Sequence, residues 1–241
     1  MARGAALVTG GSRRIGRTLV KAAAQAGYDV AIHCRTVDDD AQATAAEVRS
    51  LGRKASIHPC DLRREAETAP LVGEVESELG LVTLLVNCAS VFEDDSFAEM
   101  NRASWDAHLE TNLRAPLVLA QAFARRLPAD REGLIVNILD QRVLHPAPEF
   151  FSYSLSKSAL WDATRMLAQA LAPRIRVNGI GPGPTLRSIH QTEEEFAAEA
   201  AASLLARQVE PVEIGQALAY LIDARSVTGQ MIAVDAGQHL S

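Results

Sequence analysis

Short apolar runs alternate with longer segments of helical periodicity along the whole chain. Brief apolar runs bounded by turn residues read as buried strands, and segments with apolar positions three and four apart read as helices. On this pattern strands are predicted at Ala5–Thr9, Asp29–His33, Lys54–Pro59, Leu81–Val86, Leu134–Leu139, Arg174–Gly179 and Gln230–Val234. Helices are predicted at Arg17–Gly27, Asp38–Leu51, Arg63–Leu79, Asn101–Leu127, around Tyr153 to about Ala172, and at Glu213–Asp223. Pro116, inside the fourth of these, predicts a kink, because proline removes a backbone donor. Regular strand–helix alternation predicts a single α/β domain over residues 1–241, a seven-stranded parallel sheet with helices on both faces. Leu186 to about Leu205 is expected to be a partly helical lid, the segment from about 184 to 206, with Thr192 capping a turn that starts Glu193-Glu194-Glu195. Gly181-Pro182-Gly183-Pro184-Thr185 reads as a stiff loop before it.

Composition narrows the classes without choosing among them. The 241 residues are 48% hydrophobic and 22% charged, with a formal net charge of −6. No lysine- or arginine-rich run stands out, so nucleic acid is not an expected partner. Cys34, Cys60 and Cys88 are few, odd in number and lack metal-ligand spacing, so no metal is expected, and reduced thiols in a cytoplasmic protein are the simplest reading. The N-terminal residues lack the apolar segment of a signal peptide. No run approaches the ~18 apolar residues of a membrane span, so no membrane association is expected.

Candidate chemistry concentrates after the predicted fifth strand. Tyr153 and Lys157, four apart, share one helix face. A free phenol titrates at about 10 and is a poor acid or base at neutral pH; a nearby cation favours the phenolate and brings it towards a useful range. Asp140 ends the run Leu134–Leu139 and is placed to face the same reacting atom. A Tyr-x-x-x-Lys pair by itself is commonplace on solvated helices, so the rest of the chain must supply the context. After the first strand, Gly10-Gly11-Ser12-Arg13-Arg14-Ile15-Gly16 opens a helix, the setting in which a glycine turn and a helix N-terminus receive a pyrophosphate. The second strand ends in Cys34-Arg35-Thr36. An arginine there, with Thr36 and Arg13, points to the 2′-phosphate of NADPH, where an acidic residue would point to NAD. Asp61, followed by Leu62, either caps the next helix or meets the adenine. Asn87-Cys88-Ala89-Ser90 offers small and amide residues at a strand end. Phe92 is either core or a stacking platform for a planar substrate, and Glu93, Asp94 and Asp95 read as a solvated loop. Asn112, with Pro116 four later, is placed to hold a water at a kink.

Seven strands, the glycine turn, Asn87-x-Ala89-Ser90 and Tyr153-x-x-x-Lys157 together resemble the short-chain dehydrogenase/reductase family over essentially the whole chain, which implies a Rossmann fold. Two departures stand out: Arg14 replaces the middle glycine of the usual turn, and Asp140 replaces the usual catalytic serine. Both resemble the pteridine reductase branch, which includes dihydromonapterin reductases. The resemblance implies an NADPH-dependent oxidoreductase acting on a small pterin-type molecule, in a homotetramer or homodimer. It implies that Lys157 binds the nicotinamide ribose and tunes Tyr153, that Tyr153 and Asp140 relay a proton, and that Asn112 organises the relay water. It further implies that Phe92 stacks on the substrate and that Arg14 and Ser90 meet phosphates or the substrate's polar edge. Gly10, Arg13, Ile15, Gly16, Arg35, Thr36, Asp61, Leu62, Asn87, Ala89, Pro182, Gly183 and Thr185 complete the implied cofactor surface. The C-terminal His239-Leu240-Ser241 is expected near a neighbouring subunit's site. A short-chain reductase of another ketone or imine, and a catalytically silent NADPH-binding sensor or scaffold, are the alternatives.

Overall fold

The computed structural model describes residues 3–241. Its strands are β1 (Ala5–Val8), β2 (Asp29–Cys34), β3 (Ala55–Pro59), β4 (Val82–Asn87), β5 (Gly133–Ile138), β6 (Ile175–Pro182) and β7 (Met231–Val234). They form one sheet in the order β3-β2-β1-β4-β5-β6-β7. Every pairing is parallel. The helices are α1 (Arg14–Gln25), α2 (Asp39–Ser50), α3 (Glu65–Thr68), α4 (Leu71–Leu79), α5 (Arg102–Leu109), α6 (Ala115–Arg126), α7 (Phe151–Leu171), α8 (Glu193–Ala202) and α9 (Pro211–Asp223).

A parallel sheet covered on both faces needs strands that are apolar on both faces. β1, β4 and β5 are buried along their whole length. On one face Leu19 and Val20 of α1 and Ile214 and Leu218 of α9 pack with Val8, Ile32, Val86 and Val136. On the other, Leu71 and Val75 of α4 and Leu119 and Phe123 of α6 pack with Leu7, Leu85 and Ile135. The ring of Phe123 is 1% exposed, and burying such a side chain contributes about 3 kcal/mol. Strand order runs outward in both directions from the β1/β4 pair, which opens a crevice at the strands' carboxyl ends. No helix among the described residues is long and apolar enough to cross a membrane.

Three predicted elements differ in detail. The helix expected over Arg63–Leu79 is two, because Pro70 has no N–H with which to continue α3; α4 restarts from it, with Glu74 N–H donating to Pro70 O at 3.1 Å. The region Asn101–Leu127 is also divided. Asn101 caps α5 with both halves of a capping box, a π-helical turn spans Glu110–Arg114, and α6 follows. Ala115 N–H reaches back five residues to Glu110 O, and this wider turn accommodates Pro116, which cannot donate. The kink predicted at Pro116 is thus a π-turn, a feature common at functional sites. Gly181 and Pro182 are not loop residues but the end of β6, in register with Ala233 and Val234 of β7; Gly183 N–H then donates to Val234 O at 3.0 Å. The Thr192 cap is present, with Glu195 completing its capping box.

Gly16 is where α1 meets the glycine turn. A Cβ there would lie 1.9 Å from Gly10 O, a backbone atom, and 3.0 Å from Gly11 Cα. Gly16→Ala is expected to destabilise the protein by about 3 kcal/mol through overpacking, read as a lowered midpoint in urea unfolding with unchanged slope.

Candidate active site

The glycine turn is organised from β2. Gly10 N–H donates to His33 Nδ1 at 3.1 Å and Gly11 N–H to His33 O at 2.9 Å. An accepting Nδ1 leaves the proton on Nε2, which lies 3.1 Å from Cys60 O. Burial lowers the His33 pKa to about 4, so the ring is neutral and its tautomer is set by these partners. α1 begins with no side-chain cap and no acidic residue in its first turn, so its N-terminal N–H groups and dipole face the crevice unneutralised. Arg13, Arg35 and Thr36 are exposed around it.

Arg14 has φ of 53°, a left-handed conformation that is strained for a residue with a Cβ. The usual family pattern carries glycine here, and Arg14 keeps the glycine-like backbone. Its guanidinium donates to Leu186 O at 3.1 Å and Arg187 O at 3.0 Å. Burial, then the charges of Arg13 and Arg187, lower its pKa. In the chain's own contacts Arg14 therefore fastens the start of the segment before α8. Asp61 is bound by Arg63 at 2.6 Å, and chiefly that hydrogen bond lowers its pKa to about 2. It does not cap a helix: α3 starts at Glu65 with Arg64 before it. Leu62 beside it is buried.

The carboxyl ends of β4, β5 and β6 meet α7. Asn87 turns its amide inward, donating to Asn137 Oδ1 at 2.8 Å, and Asn137 donates to Thr164 Oγ1 at 2.8 Å. Ala89 N–H donates to Thr9 Oγ1 at 3.1 Å. Gly183 packs so closely on Asp235 that a Cβ would lie 2.6 Å from Asp235 Cα. The buried Thr185 hydroxyl donates to Gly183 O at 3.0 Å.

Asp140, Tyr153 and Lys157 come together. The phenol donates to Asp140 Oδ2 at 2.6 Å, and Asp140 Oδ1 accepts from Arg142 N–H at 2.9 Å. The Lys157 ammonium donates to Ile138 O at 2.8 Å and lies 5.7 Å from the Tyr153 ring centre. Burial raises the Asp140 pKa. Burial, then the Asp140 charge and hydrogen bond, raises Tyr153 well above 10. Burial lowers Lys157 to about 8. The expectation that the cation brings the phenol down is not met in this arrangement: desolvation and the adjoining carboxyl dominate, and Tyr153 is held as a neutral phenol. A buried carboxyl with a raised pKa beside a neutral phenol can store and hand on a proton.

Phe92 is part of an aromatic wall. Its ring stacks on Phe150 with centres 4.3 Å apart and planes at 12°. It also meets Tyr153 edge-on at 4.7 Å and 81°. Phe150, which periodicity did not single out, has a left-handed backbone with φ of 52°. Arg142 lies 5.3 Å from the Phe150 ring centre. Asn112, in the π-turn, spends its amide on the protein. It donates to Val91 O at 2.9 Å and Ser156 Oγ at 3.0 Å, and accepts from Val91 N–H at 2.8 Å and Ser90 Oγ at 3.2 Å. It ties the segment after β4 to α7 rather than reaching Asp140 or Lys157 with its side chain. Asp95, expected in a solvated loop, is buried and accepts from Ser152 N–H at 2.8 Å and Ser104 Oγ at 2.8 Å. Burial alone would raise its pKa, but the bonds from Ser152 and Ser104 outweigh this and hold it low. His33, Asp95 and Phe150 belong to no motif: His33 lies in a predicted strand and Asp95 in an acidic run that reads as a loop, while nothing in the pattern marks Phe150. The described C-terminal turn, Gln238–Leu240, includes His239, whose Nδ1 lies 2.6 Å from Asp235 Oδ2.

A model of the short chain dehydrogenase family matches residues 4–198. Among solved structures, FolM alternative dihydrofolate reductase 1 from Brucella canis, complexed with NADP, is 47% identical, with a TM-score of 0.95, over 100% of this chain and 95% of that one. Short-chain dehydrogenase/reductase FrzI from Cladobotryum sp is 33% identical over 97% of this chain and 95% of the relative. The 3-oxoacyl-[acyl-carrier-protein] reductase FabG of Staphylococcus epidermidis is 28% identical over 98% of both.

The lowered Lys157 pKa has a pH signature. Its folded value, about 8, lies below the ordinary lysine value of 10.5, so between pH 8 and pH 10.5 the unfolded chain holds the proton that the folded one has lost. Stability from this group therefore rises with pH across that window, by at most about 1.4 kcal/mol per pH unit. Urea unfolding at pH 8, 9 and 10 is expected to show this rise in the native protein relative to Lys157→Met.

Proposed function

This chain belongs to the short-chain dehydrogenase family, and on that footing we propose that it is an NADPH-dependent reductase of a pterin-type substrate, taking a dihydropterin or dihydrofolate to its tetrahydro form. The observation that carries the reading is the buried 2.6 Å bond from Tyr153 to Asp140, flanked by Phe92. Reduction of a ring C=N needs a proton at nitrogen, and the heterocycle presents N–H and amino donors. A carboxyl accepts from such donors and, when protonated, gives a proton up; a serine hydroxyl serves the polarised carbonyl of a ketone better.

The residues fit the cofactor. A helix N-terminus without cap or acid, approached through Gly10, whose Cβ would lie 2.8 Å from Ala89 Cα, suits a pyrophosphate. Exposed Arg13 and Arg35 with Thr36 suit a 2′-phosphate; Asp38, the nearest following acid, is engaged in capping α2 through Ala41 N–H. The Brucella relative carries NADP in its crystals. When bound, NADPH supplies the hydride. The chain does the rest: Lys157 holds the ribose and biases the site's charge, Tyr153 and Asp140 pass a proton to ring nitrogen, and Phe92 offers a face to the planar ring. Ser90, Arg14, Pro182, Gly183 and Thr185 line the polar edges. Asn112 acts by holding the Ser90–Val91 backbone against Ser156. We assign the protein to the cytoplasm, and to a homotetramer or homodimer; the exposed Met166 of α7 and Phe97, 67% and 72% exposed, support an apolar contact there.

A second reading, a reductase of another ketone or imine, is favoured by the full-length likeness to FabG. Loss of NADPH absorbance separates the two. With dihydropterins, the native enzyme is expected to turn over and Asp140→Ser to lose about a hundredfold. Turnover of ketones alone, kept or improved by Asp140→Ser, overturns the pterin reading. Phe92→Ala is expected to cost a stacked pterin about tenfold in kcat/KM and a small aliphatic ketone about twofold at most. A silent NADPH-binding protein would keep its function unchanged in Tyr153→Phe, whereas the enzyme loses turnover.

A further inference from the structure

α7 carries Tyr153 and Lys157 but has no cap of its own. The residue before it, Phe150, is left-handed and supplies no side-chain cap. The unpaired donors of its first turn are instead taken by a residue more than fifty positions earlier. Asp95 O accepts from Phe151 N–H at 2.9 Å, and Asp95 Oδ1 from Ser152 N–H at 2.8 Å. Asp95 Oδ2 accepts from Ser104 Oγ at 2.8 Å. Ser104 belongs to α5, whose His108, four residues on, receives Glu93 N–H on Nε2 at 3.2 Å. The loop that bears Phe92 is therefore riveted on one side to α5 and on the other to the turn that presents Phe150 and Tyr153.

We propose that Asp95 is a positioning residue for the reaction: its carboxylate caps α7 from the Phe92 loop and so sets Phe92, Phe150 and Tyr153 relative to one another. This rests on the reductase reading above and adds to it a residue that touches no substrate. The geometry gives the reason. Phe92 stands three residues before Asp95, and Phe150 and Tyr153 flank the two N–H groups that Asp95 holds. The 4.3 Å stack and the 4.7 Å edge contact join the same two segments. Release of the cap lets the aromatic wall and the phenol shift together, and a misplacement of about 1 Å at a reacting centre costs about a hundredfold in rate.

The test compares Asp95→Ala, Asp95→Asn and Ser104→Ala, with native enzyme run first on dihydropterins and ketones. Asparagine keeps an acceptor for Ser152 N–H, and its amide donates to the Ser104 hydroxyl. The expected result for Asp95→Ala is a fall in kcat/KM of about a hundredfold, with NADPH affinity, read by fluorescence titration, within about twofold. Asp95→Asn is expected to recover most of the loss, and Ser104→Ala to lose about tenfold. Unchanged kcat/KM in Asp95→Ala overturns the proposal. So does a loss that asparagine fails to rescue, or one matched by an equal loss of NADPH affinity, since either marks general damage. Should Asp95→Ala not fold, Ser104→Ala and Asp95→Asn decide: native kcat/KM in Ser104→Ala overturns the proposal. If native enzyme reduces ketones and no pterin, the substrate reading falls, and the Asp95 comparison is made on the ketone with the same expectations.

Discussion

Desolvation of three ionisable side chains governs this molecule. Asp140, Tyr153 and Lys157 lie together at the end of β5, and burial pushes each towards its neutral form: the carboxyl and phenol upward, the ammonium downward. Groups so placed are costly unless they satisfy one another. Here the phenol satisfies the carboxyl, the Arg142 N–H satisfies its second oxygen, and a strand-end carbonyl satisfies the ammonium. The arrangement holds only if β5 and α7 are fixed to within fractions of an ångström.

That requirement explains much of the surrounding architecture. The sheet supplies rigidity by apolar burial on both faces, and polar side chains buried within it, such as Asn137 and Asn178, are hydrogen-bonded. Buried amides extend the rigidity sideways, Asn87 to Asn137 to Thr164 tying two strands to α7. The π-turn at Glu110–Arg114 aims Asn112 so that one side chain joins the segment after β4 to Ser156, three residues from Tyr153 and one from Lys157. His33 does the corresponding work under the glycine turn. These polar contacts join segments far apart in sequence, and each is made by a group with little freedom to do anything else.

Distance in sequence also separates what could be read from the chain and what could not. Strands β1, β4 and β5 announce themselves because a doubly covered strand must be apolar throughout. The Asp140, Tyr153 and Lys157 cluster is legible because two of its members share a helix face and the third closely follows the preceding strand. Pro116 marks a break, while Pro70 lies inside a segment whose pattern reads as one helix; whether a proline ends a helix, kinks it or follows a π-turn depends on neighbours that local pattern does not name. The protonation of Tyr153 is not legible for a related reason: spacing gives the cation four residues away, and says nothing of the desolvation that outweighs it or of how closely the carboxyl is drawn in, to 2.6 Å. Asp95 looked like one acid among three because its partners, Ser104 and Ser152, are remote. Arg14 was recognisable as a departure from glycine; its partners across the crevice were not.

Arg14 holds the segment before α8 through two main-chain oxygens, those of Leu186 and Arg187. A clasp made to main-chain oxygens is indifferent to the side chains that follow. The residues of this segment can therefore be exchanged, in nature or by design, without unfastening it from the glycine turn. Sequence change in this segment and its attachment to the glycine turn are thus separable, because the two carbonyls are present whatever residues stand at 186 and 187.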